Sequence, residues 1–170
     1  MADKFLIQSG GRLKEHAATA ASTGVAEAGD IVALDSTGKL DDSLFPAGMG
    51  AEIKVLPASG ALAAGDFVNV FDDAGTLKVR KAVADVVGKE AHGFVLDPVV
   101  DTADASVYCE GINNELSALT GGPMMYLSAA TAGQATGTAP SATGNIVQCI
   151  GFRLSATEIT FEPHTPIELA

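Results

Sequence analysis

The chain has 170 residues, 21 Asp and Glu against 10 Lys and Arg, a net charge of -11 and a pI near 4.4. That acidity works against a nucleic-acid or membrane-surface partner, because a polyphosphate backbone or an anionic leaflet is held by clustered Lys and Arg. Apolar residues reach 47%, but 29 of them are Ala and aromatics are only 5% with no Trp, so one monomer buries modest apolar area and further burial is expected in an oligomer.

In chain order, the first predicted element is Phe5-Leu6-Ile7 followed by Ser9-Gly10-Gly11. It reads as a strand and turn able to pair with an exposed sheet edge on a partner, or as a first hairpin folded onto its own body. Next comes an internal repeat. Thr23-Gly24-Val25-Ala26-Glu27-Ala28-Gly29-Asp30-Ile31-Val32 returns 36 residues later as Ser59-Gly60-Ala61-Leu62-Ala63-Ala64-Gly65-Asp66-Phe67-Val68. Ala-Gly-Asp is a turn that launches a strand: Gly takes positive φ, and the Asp carboxylate accepts from nearby backbone donors. Each copy then runs to an acidic turn, Asp35-Ser36-Thr37-Gly38 or Asp72-Asp73-Ala74-Gly75, that folds the strand back. A weaker third echo begins at Gly121-Gly122-Pro123 and ends at Gly133-Gln134.

Between the copies, residues 41–50 have loop chemistry yet hold Leu44, Phe45 and Met49. This stretch is either a plug beneath a barrel or the seam between an amino-terminal attachment segment, 1–50, and a β-rich body, 51–170. With 19 Gly and 7 Pro, the chain is cut into pieces too short for typical helices. Strands are predicted around Leu77–Arg80, Gly93–Leu96 and Ala105–Glu110, and only Asn113–Leu119 reads as a helical turn. Residues 129–145 are small and hydroxylated, as in a flexible arm or a low-complexity loop. Ile146, Ile150, Phe152 and Leu154 share one parity, and Ile159 and Phe161 alternate with Glu158, Thr160 and Glu162. These two runs predict a terminal hairpin through Ser155-Ala156. The expected fold is mainly β, a compact barrel or sandwich of short antiparallel strands with little helix, preceded by an amino-terminal strand or arm.

The residues supply no recognisable catalytic set. Gly48-Met49-Gly50 fails to complete a dinucleotide fingerprint, since Ile53 stands where the third Gly belongs, and no P-loop or nucleophile-elbow sequence occurs. His16, His92 and His164 are scattered without metal-ligand spacing. Asp41-Asp42 and Asp72-Asp73 sit in Gly-rich turns where solvated carboxylates are ordinary. Cys109 and Cys149, forty residues apart, are expected as reduced thiols. Neither enzyme activity nor a cofactor or metal is expected. The start lacks the basic and apolar regions of a signal peptide and no run suits a spanning helix, so synthesis in a cytoplasm is expected.

Taken as a series, Gly11-Arg12-Leu13, Leu34-Asp35-Ser36-Thr37-Gly38-Lys39-Leu40-Asp41-Asp42-Ser43-Leu44-Phe45-Pro46, Ala64-Gly65-Asp66-Phe67-Val68-Asn69-Val70 and Val79-Arg80-Lys81-Ala82 resemble the small head-decoration or cement proteins of tailed bacteriophages. So do Lys89-Glu90-Ala91-His92-Gly93-Phe94-Val95, Met125-Tyr126-Leu127-Ser128 and the ending from Gly151-Phe152 to Phe161-Glu162-Pro163. The resemblance implies a non-enzymatic structural virion protein on the outside of the mature capsid, assembled in a bacterial host's cytoplasm. It would bind the major capsid protein, stabilise that lattice, and associate with itself as a trimer or a dimer. The Leu-Asp-x-x-Gly-Lys-Leu-Asp string also occurs in phage fibres, so the alternative is a fibre or receptor-binding module using 129–145 against the host surface. Residues 1–24 carry a net charge of +1 and the other 146 carry -12, which directs Lys4, Phe5, Arg12 and Lys14 to the capsid as contact residues.

Overall fold

The computed structural model describes residues 4–36, 38–45 and 52–170, and its contacts divide the chain into two units, 1–50 and 51–170. In the first unit β1 (Lys4–Ser9) and β2 (Arg12–Ala17) pair antiparallel from Lys4↔Ala17 to Ser9↔Arg12. The Gly10-Gly11 link has φ of 62° and 75°, the doubly left-handed turn whose twist matches that of a hairpin. After β2 the chain makes a strap: Thr19 N donates to the Ile31 carbonyl and Ala33 N to the Thr19 carbonyl, both at 2.9 Å. Short 3-10 turns stand at Val25–Glu27 and Asp42–Leu44. Pro46 and Met49 of the expected seam, the Gly48-Met49-Gly50 turn and Thr37 lie outside the described residues, as does the Asp42 side chain.

Twelve strands follow in the second unit: β3 (Ile53–Pro57), β4 (Phe67–Asp73), β5 (Thr76–Lys81), β6 (Gly93–Phe94), β7 (Asp104–Tyr108), β8 (Gly111–Asn113), β9 (Met124–Leu127), β10 (Ala135–Thr136), β11 (Ile146–Val147), β12 (Cys149–Arg153), β13 (Ile159–Phe161) and β14 (Ile167–Glu168). They form two five-stranded antiparallel sheets, ordered β3-β7-β6-β4-β5 and β10-β9-β12-β13-β8, and a small β11-β14 ladder. The mainly β, short-strand architecture is the expected one. Neither sheet closes into a barrel. The first curls until Ser59 N reaches the Val79 carbonyl at 2.7 Å, beside a lone parallel bridge between Ala58 and Val79.

Strand alternation builds two cores from the same strands. Val68, Val79, Val95 and Val107 turn into the curl of the first sheet, with Leu56 and Leu62. Their neighbours Phe67 and Phe94 point the other way and meet Met125, Leu127, Ile150, Ile159 and Phe161 from the second sheet. Phe161 is the joint, with ring centroids 5.7 Å from Phe67 and 5.6 Å from Phe94. Each such buried ring contributes about 2 to 3 kcal/mol of hydrophobic stabilisation.

Three sequence expectations fail here for physical reasons. Asn113–Leu119 is not helical: Leu116 and Leu119 enter the core from an irregular strap whose N–H groups bond the Thr157 and Ala156 carbonyls. Of the two readings of residues 129–145, the flexible arm falls, because Gly133 N donates to the Ala82 carbonyl, Phe67 N donates to the Gly133 carbonyl, and Ser128 N donates to the Gln134 carbonyl. Finally, Ile150 and Phe152 do not share a face. The ladder with β9 slips between Cys149 and Gly151, a bulge that buries Ile150 and turns Phe152 outward. Gly151 sits there at φ 140°, where any Cβ would fall onto the Thr160 carbonyl oxygen.

Candidate functional site

The amino-terminal hairpin places the four expected contact residues on two faces. Register puts Phe5, Ile7 and Ser9 beside His16, Lys14 and Arg12 on one face, and Lys4, Leu6 and Gln8 beside Ala17, Glu15 and Leu13 on the other. Phe5, Lys14 and Arg12 therefore share a face, spaced along the hairpin from its open end to its turn, while Lys4 lies on the other face and is paired to Glu15 at 2.7 Å. Of the expected cations, Arg12 and Lys14 are the exposed pair on the face carrying Phe5.

Leu6 and Leu13 are strongly exposed on the opposite face, and sequence reasoning passed over Leu13. The signal was available: it lies two residues from Glu15, on the same parity across a Gly-Gly turn. Among the described residues no other strand pairs with β1 or β2. A two-stranded ribbon is marginal in water, and its outer edges carry unpaired N–H and C=O groups that template a further strand.

What fixes the hairpin to its strap is a polar cluster. His16 Nε2 stands 2.8 Å from Asp30 Oδ1, and Thr19 Oγ1 donates to Asp30 Oδ2 at 3.0 Å. The Phe5 ring meets the His16 ring edge-on with centroids 5.4 Å apart. The hydrogen bond from His16, then that from Thr19, holds the Asp30 carboxyl below its ordinary value of 3.8. The Gly-Asp repeat marked Asp30 in the sequence, but nothing in the spacing announced His16 as its partner.

Elsewhere the polar residues serve turns and packing. Asp72 Oδ1 accepts from Gly75 N at 2.8 Å, and Asp73 pairs with Lys78 at 2.6 Å. Val70 N donates to His92 Nδ1 at 3.1 Å, which ties the residue before β6 to β4. Cys149 is buried and Cys109 half-buried, both as free thiols. Burial, followed by the nearby Glu52 and Glu110 carboxylates, pushes the Cys109 thiol up. A shallow depression of ≈ 300 Å³ is lined by Asp97, Val99, Val100, Asp104 and Ser106, and Ser106 has no histidine partner among the described residues. No three His, Cys, Asp or Glu side chains converge as a metal ion would require, again among the described residues.

No family model matches this chain, and no curated protein or solved structure matches it either.

Proposed function

We propose that this chain is a structural virion protein that binds the outer surface of a mature phage capsid, holds neighbouring major capsid proteins together, and acts as a homo-oligomer. The resemblance of its motif series to head-decoration proteins supports this reading. The observation that carries it is the amino-terminal hairpin, a two-stranded ribbon with open edges, exposed Leu6 and Leu13, and Arg12 and Lys14 on the same face as Phe5. Residues 51–170 hold six Lys and Arg against fourteen Asp and Glu, so the hairpin is the part of the chain least repelled by an acidic shell.

Stabilisation follows from differential affinity. A protein that binds the expanded lattice better than its precursor shifts that equilibrium, and many modest contacts repeated over a shell add through multivalency. The fibre alternative relied on 129–145 as an exposed loop, and its support falls because Gly133 and Gln134 anchor that segment to the body. The test is co-sedimentation of the purified protein with expanded, undecorated heads and, in parallel, with intact host cells. Saturable pelleting with heads and not with cells is expected; pelleting with cells alone would replace the proposal with host recognition.

A further inference from the structure

The outward face of the second sheet leaves large side chains exposed among the described residues. Register aligns Met124 of β9 with Phe152 of β12, Phe152 with Thr160 of β13, and Thr160 with Ile112 of β8. All four point away from the core that Met125, Ile159 and Phe161 fill. Met124 is 39% exposed, Phe152 40% and Ile112 52%, and Leu154, just past the end of β12 and on the parity of Phe152, is also exposed. The bulge at Ile150 is what delivers Phe152 to this row. A row of Met124, Phe152 and Ile112 around Thr160, running across four strands with a polar margin, marks an interaction surface.

The margin indicates the occupant. Beside the row, Glu158 and Glu162 flank β13 and share the outward parity of Thr160, and the ladder with β12 continues past both ends of β13, where Leu154 N donates to the Glu158 carbonyl and Glu162 N to the Ile150 carbonyl. On the other side of β12 the same levels hold Tyr126, opposite Thr136 of β10, and Gly122 before β9. The acids thus lie on one side of β12, with a phenol and a glycine on the other. A two-fold axis along β12 lays one such face on another with β12 over β12. It carries Glu162 to Tyr126 and Glu158 to Gly122, so each carboxylate meets a hydroxyl donor or open backbone in place of another acid. A two-fold axis across the strands would set Glu against Glu.

We infer that this face is the contact between two copies of the chain, packed sheet on sheet about an axis parallel to β12, with Phe152 at its centre and Glu162 hydrogen-bonded to the Tyr126 hydroxyl of the other copy. Aligned sheets stack about 10 Å apart with their side chains interdigitating. Five strands span about 20 Å, which places the contact at the small end of specific interfaces. The inference rests on the reading that copies associate, and is independent of shell binding.

Sedimentation velocity of the full chain across the micromolar range tests it. The unmodified protein is expected to pass from monomer to dimer. Phe152→Glu should stay monomeric, Ile112→Lys should weaken association at least tenfold, and Tyr126→Phe should weaken it several-fold. Circular dichroism and melting curves identify any variant that fails to fold; if Phe152→Glu fails, Ile112→Lys at the edge strand decides the matter. A monomer at every concentration would overturn both self-association and this face. A trimer or dimer indifferent to Phe152→Glu and Ile112→Lys would keep self-association and overturn the face alone. Pelleting with heads, measured separately, reports shell binding whichever result is found.

Discussion

The two copies of the Ala-Gly-Asp repeat begin with the same turn and end in different environments. Gly29 and Gly65 are both left-handed, with φ of 96° and 82°, and each hands on to an Asp that gathers hydrogen bonds. In the second copy Asp66 is buried. It accepts from Ala63 N at 2.7 Å, pairs with Lys81 at 2.8 Å and accepts from Gln134 at 3.2 Å, and the next residues, Phe67 and Val68, are wholly buried. In the first copy Asp30 joins His16 and Thr19, and Ile31 and Val32 remain 54% and 49% exposed. A turn sequence sets the local path of the chain, but burial comes from the neighbours a strand acquires. β4 lies between β5 and β6, whereas Val32 makes one isolated bridge to Thr19.

That contrast is open to direct tests. The largest effect is expected outside both turns, at the bulge that shapes the second sheet: Gly151→Val forces a branched side chain into the Thr160 carbonyl at a left-handed φ and should cost about 3 kcal/mol in denaturant unfolding. Asp66→Ala leaves Ala63 N–H and the Gln134 amide without their acceptor and should cost about 2 kcal/mol. Asp30→Ala, its counterpart in the first copy, should leave the main unfolding transition in place and remove hydrogen-exchange protection only at Thr19 and Ala33. Equal effects of the two Asp substitutions would break the comparison.

Acid sharpens it further. Because the Asp30 carboxyl is held below 3.8 in the folded chain, its contribution is present in full above that value. The contribution is lost as pH falls through the lower folded value. Amides of the strap should therefore lose protection in this acid range, as followed by exchange or by the Asp30 carboxyl resonance. The smallest effect is expected at the acidic turn of the second copy, where Ala74 has φ 54°. Ala74→Gly should raise stability by about 0.5 kcal/mol by relieving the left-handed conformation.

The class of fold was legible because Gly and Pro cut the chain into strand-length pieces, and Ile159 and Phe161 alternate cleanly with Glu158, Thr160 and Glu162. A bulge adds a residue without leaving a signature in hydropathy, so the parity of Ile150 carried over wrongly to Phe152 and the exposed row stayed hidden. Leu116 and Leu119 have helical spacing, yet an irregular strap bonded to Thr157 and Ala156 serves the same two core positions. Residues 129–145 looked unstructured because small side chains hide what backbone hydrogen bonds do; Gly133 alone ties the segment to both Phe67 and Ala82. At the candidate site, the sequence alone gathers Lys4, Arg12 and Lys14 into one short segment. Only strand register could separate Lys4, neutralised by Glu15, from Arg12 and Lys14 across the ribbon.

The central claim is that the open-edged hairpin attaches this protein to a capsid, and the most direct measurement compares the full chain with one lacking residues 2–14 for saturable co-sedimentation with expanded, undecorated heads. The full chain should pellet with the heads, and the shortened chain should remain in the supernatant with an unchanged melting transition of its β-rich body. Equal pelleting of the two would contradict the claim.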